Sequence, residues 1–412
     1  MKKSLIALAA LAAVGAASAQ SSVTLYGRVD VGYGAQTSEM RDTGTGKNSV
    51  RSRGIMDGAN TSNAFGLRGT EDLGGGLKAN FVTEFAVSPT SGVVFSRNAS
   101  AAQQVAYPAA FTNQLGLVGA TPAANAISAA STNRQSYVGL SSSTMGTLNV
   151  GYQYTNLYEM STLSGYNIGS EGVPGAFSGH TFGQTFAGGT RGNGVTYISP
   201  VFAGGFTVRA QYGAGGANPE IFQSTTAAGV STNTDSRRAS LMGQYANGPL
   251  SAAISLTNHR VNSAAAGGSR TGRLTQLGAS YDFGVAKLAG TYNNGRDGGI
   301  SAGGAAGTGF GVAFGTNTAH RSYQVGVSAP FGAIVPFVTV GRAYAQTDGV
   351  AGRGIDIRQA QVGVRYSLSK RTTAYAFYGT SVDNAAQNAA IASTAASVYR
   401  DKKTIVGVAH SF

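Results

Sequence analysis

The chain contains no cysteine and no tryptophan, only nine prolines, and Asp, Glu, Lys and Arg together make up just 11% of its 412 residues. Each shortage excludes something. Without thiols there are no disulfide staples, no thiolate metal sites and no cysteine nucleophile. An average soluble protein carries about 25% charged residues, so a surface this poor in charge is not built for water alone. Helical membrane spans are no answer, because after the first twenty residues no apolar run approaches the roughly 18 to 20 needed to cross a bilayer as a helix. Glycine is abundant, at 61 residues, yet it has no three-residue period, which excludes collagen. Acids are the scarcer charge: 17 Asp and Glu against 30 Lys and Arg, for a net charge of +13.

The amino terminus has the three parts of an export signal. Met1, Lys2 and Lys3 are a short positive segment, Ser4 to Val14 is apolar, and Ala17-Ser18-Ala19 is a small-x-small cleavage site. Residues 1–19 are therefore expected to be a signal peptide, leaving 20–412 as a single mature domain. Loss of Lys2 and Lys3 takes the charge from +13 to +11. An exported protein rarely meets nucleic acid, so this basic balance points to another anionic partner.

From Gln20 onward the chain alternates with period two rather than at helical spacing. In Val23-Thr24-Leu25-Tyr26-Gly27-Arg28-Val29-Asp30-Val31 every second residue is apolar or Gly and the rest are polar, the pattern of a strand with one greasy and one wet face. Such segments recur at about 23–34, 62–70, 77–86, 134–142, 147–155, 193–200, 206–213, 237–246, 250–259, 273–283, 285–294, 321–331, 334–344, 356–368, 372–381 and 402–412, sixteen in all. Tight turns such as Asn247-Gly248-Pro249 alternate with long Gly, Ala, Ser and Asn loops at 87–133, 156–192, 214–236, 295–320 and 382–401. Short connections at one end and long ones at the other describe an up-and-down meander. A soluble sandwich could bury the same apolar faces, but strands of about 9 to 11 residues match a tilted crossing of the hydrocarbon layer. In lipid every backbone N–H and C=O must be paired, so the sheet has to close. The expected fold is all-β: a transmembrane up-and-down antiparallel β-barrel of 16 strands around a watery lumen.

Taking the apolar set as outward leaves Arg28, Arg68, Lys78, Arg209, Arg238, Lys287, Arg342 and Arg365 on the inner wall, against fewer acids, Asp30, Glu84 and Asp282. A charge facing lipid costs about 2 to 4 kcal/mol at the midplane, so these residues belong to the lumen or the rims. A positive wall concentrates anions. At about 0.15 M salt its field reaches about 8 Å, so the preference should be modest and salt-sensitive. Glycine runs such as Gly74-Gly75-Gly76 lack the Lys-Ser/Thr of a phosphate loop, and four scattered histidines suggest neither a metal site nor a catalytic triad. No chemical step and no cofactor is expected.

Several stretches resemble the trimeric general porins of Gram-negative outer membranes, most closely the beta-proteobacterial branch. They are Ser22 to Gly27, Phe65 to Ala79, Asn133 to Leu140, Tyr245 to Leu250, Gly278 to Gly284 and Leu368 to Thr372, in collinear order along the mature chain. The resemblance implies a homotrimer in a membrane of lipid and lipopolysaccharide, and a passive pore for small anions and other hydrophilic solutes. It also implies a third loop, about 156–192, folded inward to narrow the pore, with Glu159 and Glu171 as its acids and Tyr158 and Tyr166 as bulk. By the same likeness, 87–133 is the segment that latches neighbouring protomers. Two positions depart from the family's arginine ladder: Ala64 and Tyr152 stand where arginines are usual. A substrate-specific pore for organic acids or phosphate, or a surface adhesin with an incidental pore, are the competing readings.

Overall fold

The computed structural model describes residues 22–42, 46–57, 60–87, 89, 133–163, 191–214, 234–263, 268–296, 318–347, 354–383 and 397–412. The proposed signal segment 1–19, the latch segment between 90 and 132, Tyr166 and Glu171 lie outside the described residues.

These residues form one antiparallel sheet. Its strands are β1 (Ser22–Asp42), β2 (Gly46–Asp57), β3 (Ala64–Gly74), β4 (Leu77–Ala86), β5 (Asn133–Ser142), β6 (Gly146–Tyr154), β7 (Arg191–Ile198), β8 (Phe206–Ala214), β9 (Thr234–Asn247), β10 (Leu250–Ser263), β11 (Gly268–Asp282), β12 (Lys287–Arg296), β13 (Thr318–Ser328), β14 (Ile334–Thr347), β15 (Gly354–Ser367), β16 (Thr372–Asp383) and β17 (Ser397–Ser411). From β3 onward each strand pairs with the next in sequence, and β1 pairs with β17 from Arg28↔Ser411 to Asp42↔Ser397, so the sheet closes. Both β2 and β3 pair with β1, along Val31 to Asp42 and along Ser22 to Arg28 respectively. They are two halves of one crossing. The seventeen segments therefore make a 16-stranded barrel.

The usual arrangement of a soluble protein is inverted. Val23, Leu25, Val138, Leu140, Val150, Val338, Val340, Val406 and Val408 stand exposed on the outer face. The alternate positions are buried and polar, among them Asn149, Gln153, Thr196, Gln211, Ser255, Gln276, Asn293 and Gln324. Apolar side chains that do point inward lie flat along the wall over glycines of the next strand. A Cβ on Gly363 would collide with the Phe337 and Phe377 rings, and one on Gly407 with the Tyr375 ring.

The tight turns sit at the end opposite the long loops. Gly248 (φ 56°) and Gly332 (φ 62°) supply the left-handed backbone that the turns need. Each of the sixteen segments expected from the alternation overlaps a strand of the structure. The strands run further at the loop end, however: β1 continues to Asp42, β2 is an added half-strand, and β10 and β11 extend to Ser263 and back from Gly268. Most of their residues are polar, as in Lys47-Asn48-Ser49 and Arg51-Ser52-Arg53 of β2, so period two does not mark them.

Candidate pore constriction

After Thr155 the chain leaves the wall and forms a short helix, α1 (Asn156–Leu163). Thr155 occupies the position before the first helical residue, where Ser and Thr are favoured, and its carbonyl accepts the Tyr158 and Glu159 N–H groups. The helix lies against the inner face of β9, β10 and β11. Leu157 packs on Leu274, and Met160 on Met242 and Ala253. Leu157 and Met160 are almost fully buried, worth about 1.5–3 kcal/mol each. Gly278 makes room for this contact, since a Cβ there would come within 3.1 Å of the Met160 methyl.

Polar contacts fix the helix at its first turn. Asn156 Nδ2 donates to Ser240 Oγ at 2.9 Å, and its backbone N–H to Gln211 Oε1 at 3.3 Å. Arg209 and Gln211 both donate to the Tyr154 carbonyl at 3.0 Å. Arg209 Nη1 also lies 3.1 Å from Glu159 Oε1. Glu159 is thereby tied to the wall that carries α1. The Tyr158 ring stacks on Tyr154 at 3.8 Å between centroids. Burial pushes the Tyr158 phenol up to about 12, with the Tyr154 hydroxyl adding to the rise.

A second cluster lies beside the helix and centres on Glu84 of β4. Its Oε1 accepts Arg134 Nε at 2.6 Å, Arg28 Nη2 at 3.4 Å and the Tyr154 hydroxyl at 3.2 Å. Its Oε2 accepts the Tyr26 hydroxyl at 3.1 Å. Arg134 also donates to the Tyr154 oxygen at 2.8 Å. Glu84, Arg28, Arg134, Tyr26 and Tyr154 form one network, which reaches Arg209 through the Tyr154 carbonyl. Removing the carboxylate would leave two guanidiniums facing each other, and breaking a buried pair costs about 3–5 kcal/mol.

A third cluster holds the break in the second crossing. Asp30, fully buried, accepts the backbone N–H groups of Asn60 (2.6 Å) and Thr61 (2.5 Å) on Oδ2 and the Tyr375 hydroxyl on Oδ1 at 2.6 Å. Its own N–H donates to Asn63 Oδ1. Arg365 Nε donates to Asn60 Oδ1 at 3.0 Å, and its guanidinium covers the Phe337 ring.

The remaining expected wall residues are spread along the barrel. Arg68 shares the inward parity and lies over the Tyr26 ring at 5.2 Å. Lys78 and Lys287 sit at the tight-turn mouth, opposite Asp72 and Asp282 in the register. Arg238 is buried on the inner face of β9 beside Gly192. Arg342 is a correction. On β14 the inward set is Phe337, Thr339, Gly341 and Ala343, so Arg342 falls with exposed Val338, Val340 and Tyr344 on the outer face. Strict alternation already gives Arg342 the parity of Val338 and Val340; it was the cost of a charge facing lipid, which falls to about 0–1 kcal/mol near the interface, that assigned it to the wall.

Two inner cations are missing from the wall set read from the sequence. Arg134 has the parity of outward Val138 and Leu140, but a bulge shifts the β4–β5 register between Glu84↔Gln135 and Phe85↔Asn133 and turns Arg134 inward. No periodicity signals that bulge. Lys403, inward and buried on β17, could have been found, since it alternates with Thr404 and Val406.

A closed barrel with an apolar exterior, a polar interior and a helix against its inner wall defines an outer-membrane channel. The Gram-negative porin family matches residues 6–386, and the chain belongs to that family. An outer-membrane porin of Bordetella pertussis is 32% identical over 410 residues, covering 92% of this chain and 93% of the relative. Outer membrane porin protein 32 of Delftia acidovorans is 34% identical over 385 residues, covering 91% and 88%. Among solved structures, an anion-selective porin from Comamonas acidovorans superposes with a TM-score of 0.60 at 24% identity, covering 95% of this chain and all of that one. The DcaP channel of Acinetobacter baumannii gives 0.58 at 13% identity, covering 95% and 97%. The protein is a non-enzymatic outer-membrane channel for small solutes and ions.

Proposed function

We propose that this porin is a homotrimer whose pores prefer anions, narrowed at α1 by Tyr158, Glu159 and the Arg28–Glu84–Arg134 network. The observation that carries this reading is the use of the inner acids. Glu84 is held by two arginines, Glu159 by Arg209, and Asp30 by backbone N–H groups and Tyr375. Arg68, Arg238, Arg365 and Lys403 add positive charge to the same inner face. A passing anion therefore meets a surplus of cations. The relative from Comamonas carries anion selectivity in its description, which agrees with this reading.

The gathering of Arg28, Arg134 and Arg209 around Tyr154 favours a second reading within the same class, in which small carboxylates or phosphate pass better than chloride. Swelling of liposomes containing the purified protein tests both. Anionic solutes should enter faster than neutral or cationic solutes of equal size, and equal rates would remove the preference. Organic acids outpacing chloride-matched controls would favour the second reading.

A further inference from the structure

The wall beneath α1 carries polar groups that the helix's apolar contacts do not use. Beside the seats of Leu157 and Met160, the inner face of β10, β11 and β12 holds Ser255, Gln276 and Thr291, none more than 8% exposed. Ser255 stands opposite Gln276 in the register, and Thr291 stands opposite Gly278, two residues further along β11. The Thr291 methyl and the Met160 carbonyl lie 3.6 and 3.7 Å from where a Gly278 Cβ would be, so helix and wall meet at this point. Ser255 Oγ, Gln276 Oε1 and Thr291 Oγ1 have no hydrogen-bond partner among the described residues. Buried polar atoms are nearly always paired, so three of them side by side on adjacent strands define a polar niche.

The donors and acceptors in the niche select its occupant. Gln276 Nε2 is already committed to Asn293 Oδ1 at 3.0 Å, and Asn293 Nδ2 in turn donates to Ser322 Oγ at 3.1 Å. Gln276 therefore presents its acceptor oxygen to the helix. The Met160 carbonyl belongs to the last turn of α1, where helical carbonyls lack partners within the helix. Two hydroxyls that can donate thus meet two oxygens that can only accept. Water accepts two hydrogen bonds and donates two, and a buried water needs two to four polar partners. A metal cation would leave both hydroxyl protons without acceptors, and an anion would leave Gln276 Oε1 and the carbonyl without donors. The side chains around the niche are small, with Ala253 opposite Gly278 on β10.

We propose that an ordered water occupies this niche and bridges α1 to the wall, accepting from Ser255 and Thr291 and donating to Gln276 Oε1 and the Met160 carbonyl. Ser255, Gln276 and Thr291 are then positioning residues, which hold the constriction helix through the water. Every group in the niche is uncharged, so the inference does not depend on the anion preference.

The test is a structure of the detergent-purified protein at a resolution that shows ordered water, combined with urea unfolding and planar-bilayer recording of Thr291→Val. A solvent peak within hydrogen-bond distance of Ser255 Oγ, Gln276 Oε1 and Thr291 Oγ1 is expected. Val has the shape of Thr and suits a strand at least as well, so the variant loses only the hydroxyl. With the water in place, the folding equilibrium constant should fall about fivefold or more, and open-channel current noise should rise as α1 loses a tether. In a dry niche, removing an unpaired buried hydroxyl would leave stability unchanged or raise it. An empty niche, or a Thr291→Val protein as stable and as quiet as the wild type, would overturn the proposal. An anomalous peak in the niche after soaking crystals in thallium(I) would also overturn it, because a cation would then be the occupant. Should Thr291→Val not fold, Ser255→Ala carries the same test, with a fall in stability and a rise in noise expected again.

Discussion

The Tyr375 hydroxyl donates a hydrogen bond to Asp30 Oδ1 at 2.6 Å, so one carboxylate joins the wall at β16 to the chain break between β2 and β3. Asp30 is fully buried and its other oxygen is taken by two backbone N–H groups. It therefore works as a clamp on residues 60–63, not as a free charge in the lumen. Replacing Asp30 by Asn puts an amide where only acceptors fit. Hydrogen bonds to a charged group contribute about 1.5–3 kcal/mol, so Asp30→Asn should lower unfolding stability in urea by about that amount. Release of the clamp should also raise single-channel conductance and current noise. Tyr375→Phe keeps the carboxylate and should show a smaller loss of the same kind.

Glu84 makes a different case, since one carboxylate is shared by Arg28 and Arg134. Glu84→Gln leaves Arg28 and Arg134 without their shared carboxylate. Chloride preference in reversal-potential recordings should rise while stability falls by about 3–5 kcal/mol. An unchanged chloride preference would mean that this network does not face the permeation path.

Helix α1 depends on Gly278 and Arg209 in different ways. Gly278→Val places a side chain against Met160 and should displace the helix, for a cost of about 1–3 kcal/mol as overpacking. Arg209→Ala removes the tie to Glu159 and to the Tyr154 carbonyl without crowding the apolar contact. Both variants should conduct differently from the wild type in planar bilayers, and Arg209→Ala should also lose part of the anion preference.

Tyr158 predicts behaviour at high pH. Its phenol is shifted from the ordinary value of 10.0 up to about 12 because the ionised form is penalised by burial. The folded state therefore holds this proton more tightly than the unfolded one. The stabilisation is constant below about pH 10 and is lost as pH rises from there through about 12. Conductance should be flat from pH 7 to 9.5, with looser α1 packing above pH 10. Tyr158→Phe should abolish the alkaline change.

Much of the barrel was legible in the sequence because lipid and water impose opposite demands on alternate residues, as Val23-Thr24-Leu25 and Val406-Gly407-Val408 display directly. The loop-end extensions were not, because a strand such as Gly46–Asp57 is mostly polar from Lys47 to Arg53 and loses the two-residue signal there. Arg28, Arg68, Arg209 and Arg365 have the inward parity that alternation assigns them, whereas Arg342 shares the outward parity of Val338 and Val340 and was placed on the wall only by the cost of a charge in lipid, which fades near the interface. Arg134 was beyond reach for another reason. A bulge changes which face a residue takes without changing composition. The partners of Asp30 join residues up to 345 positions apart, and local pattern carries no trace of them.

With the inner acids Glu84, Glu159 and Asp30 engaged in holding the pore together, the proposed pore presents surplus positive charge to its electrolyte. Reversal potentials across a planar bilayer under a potassium chloride gradient test it most directly. Chloride permeability should exceed that of potassium, with the ratio approaching one as salt is raised. Potassium permeability above that of chloride at low salt would contradict it.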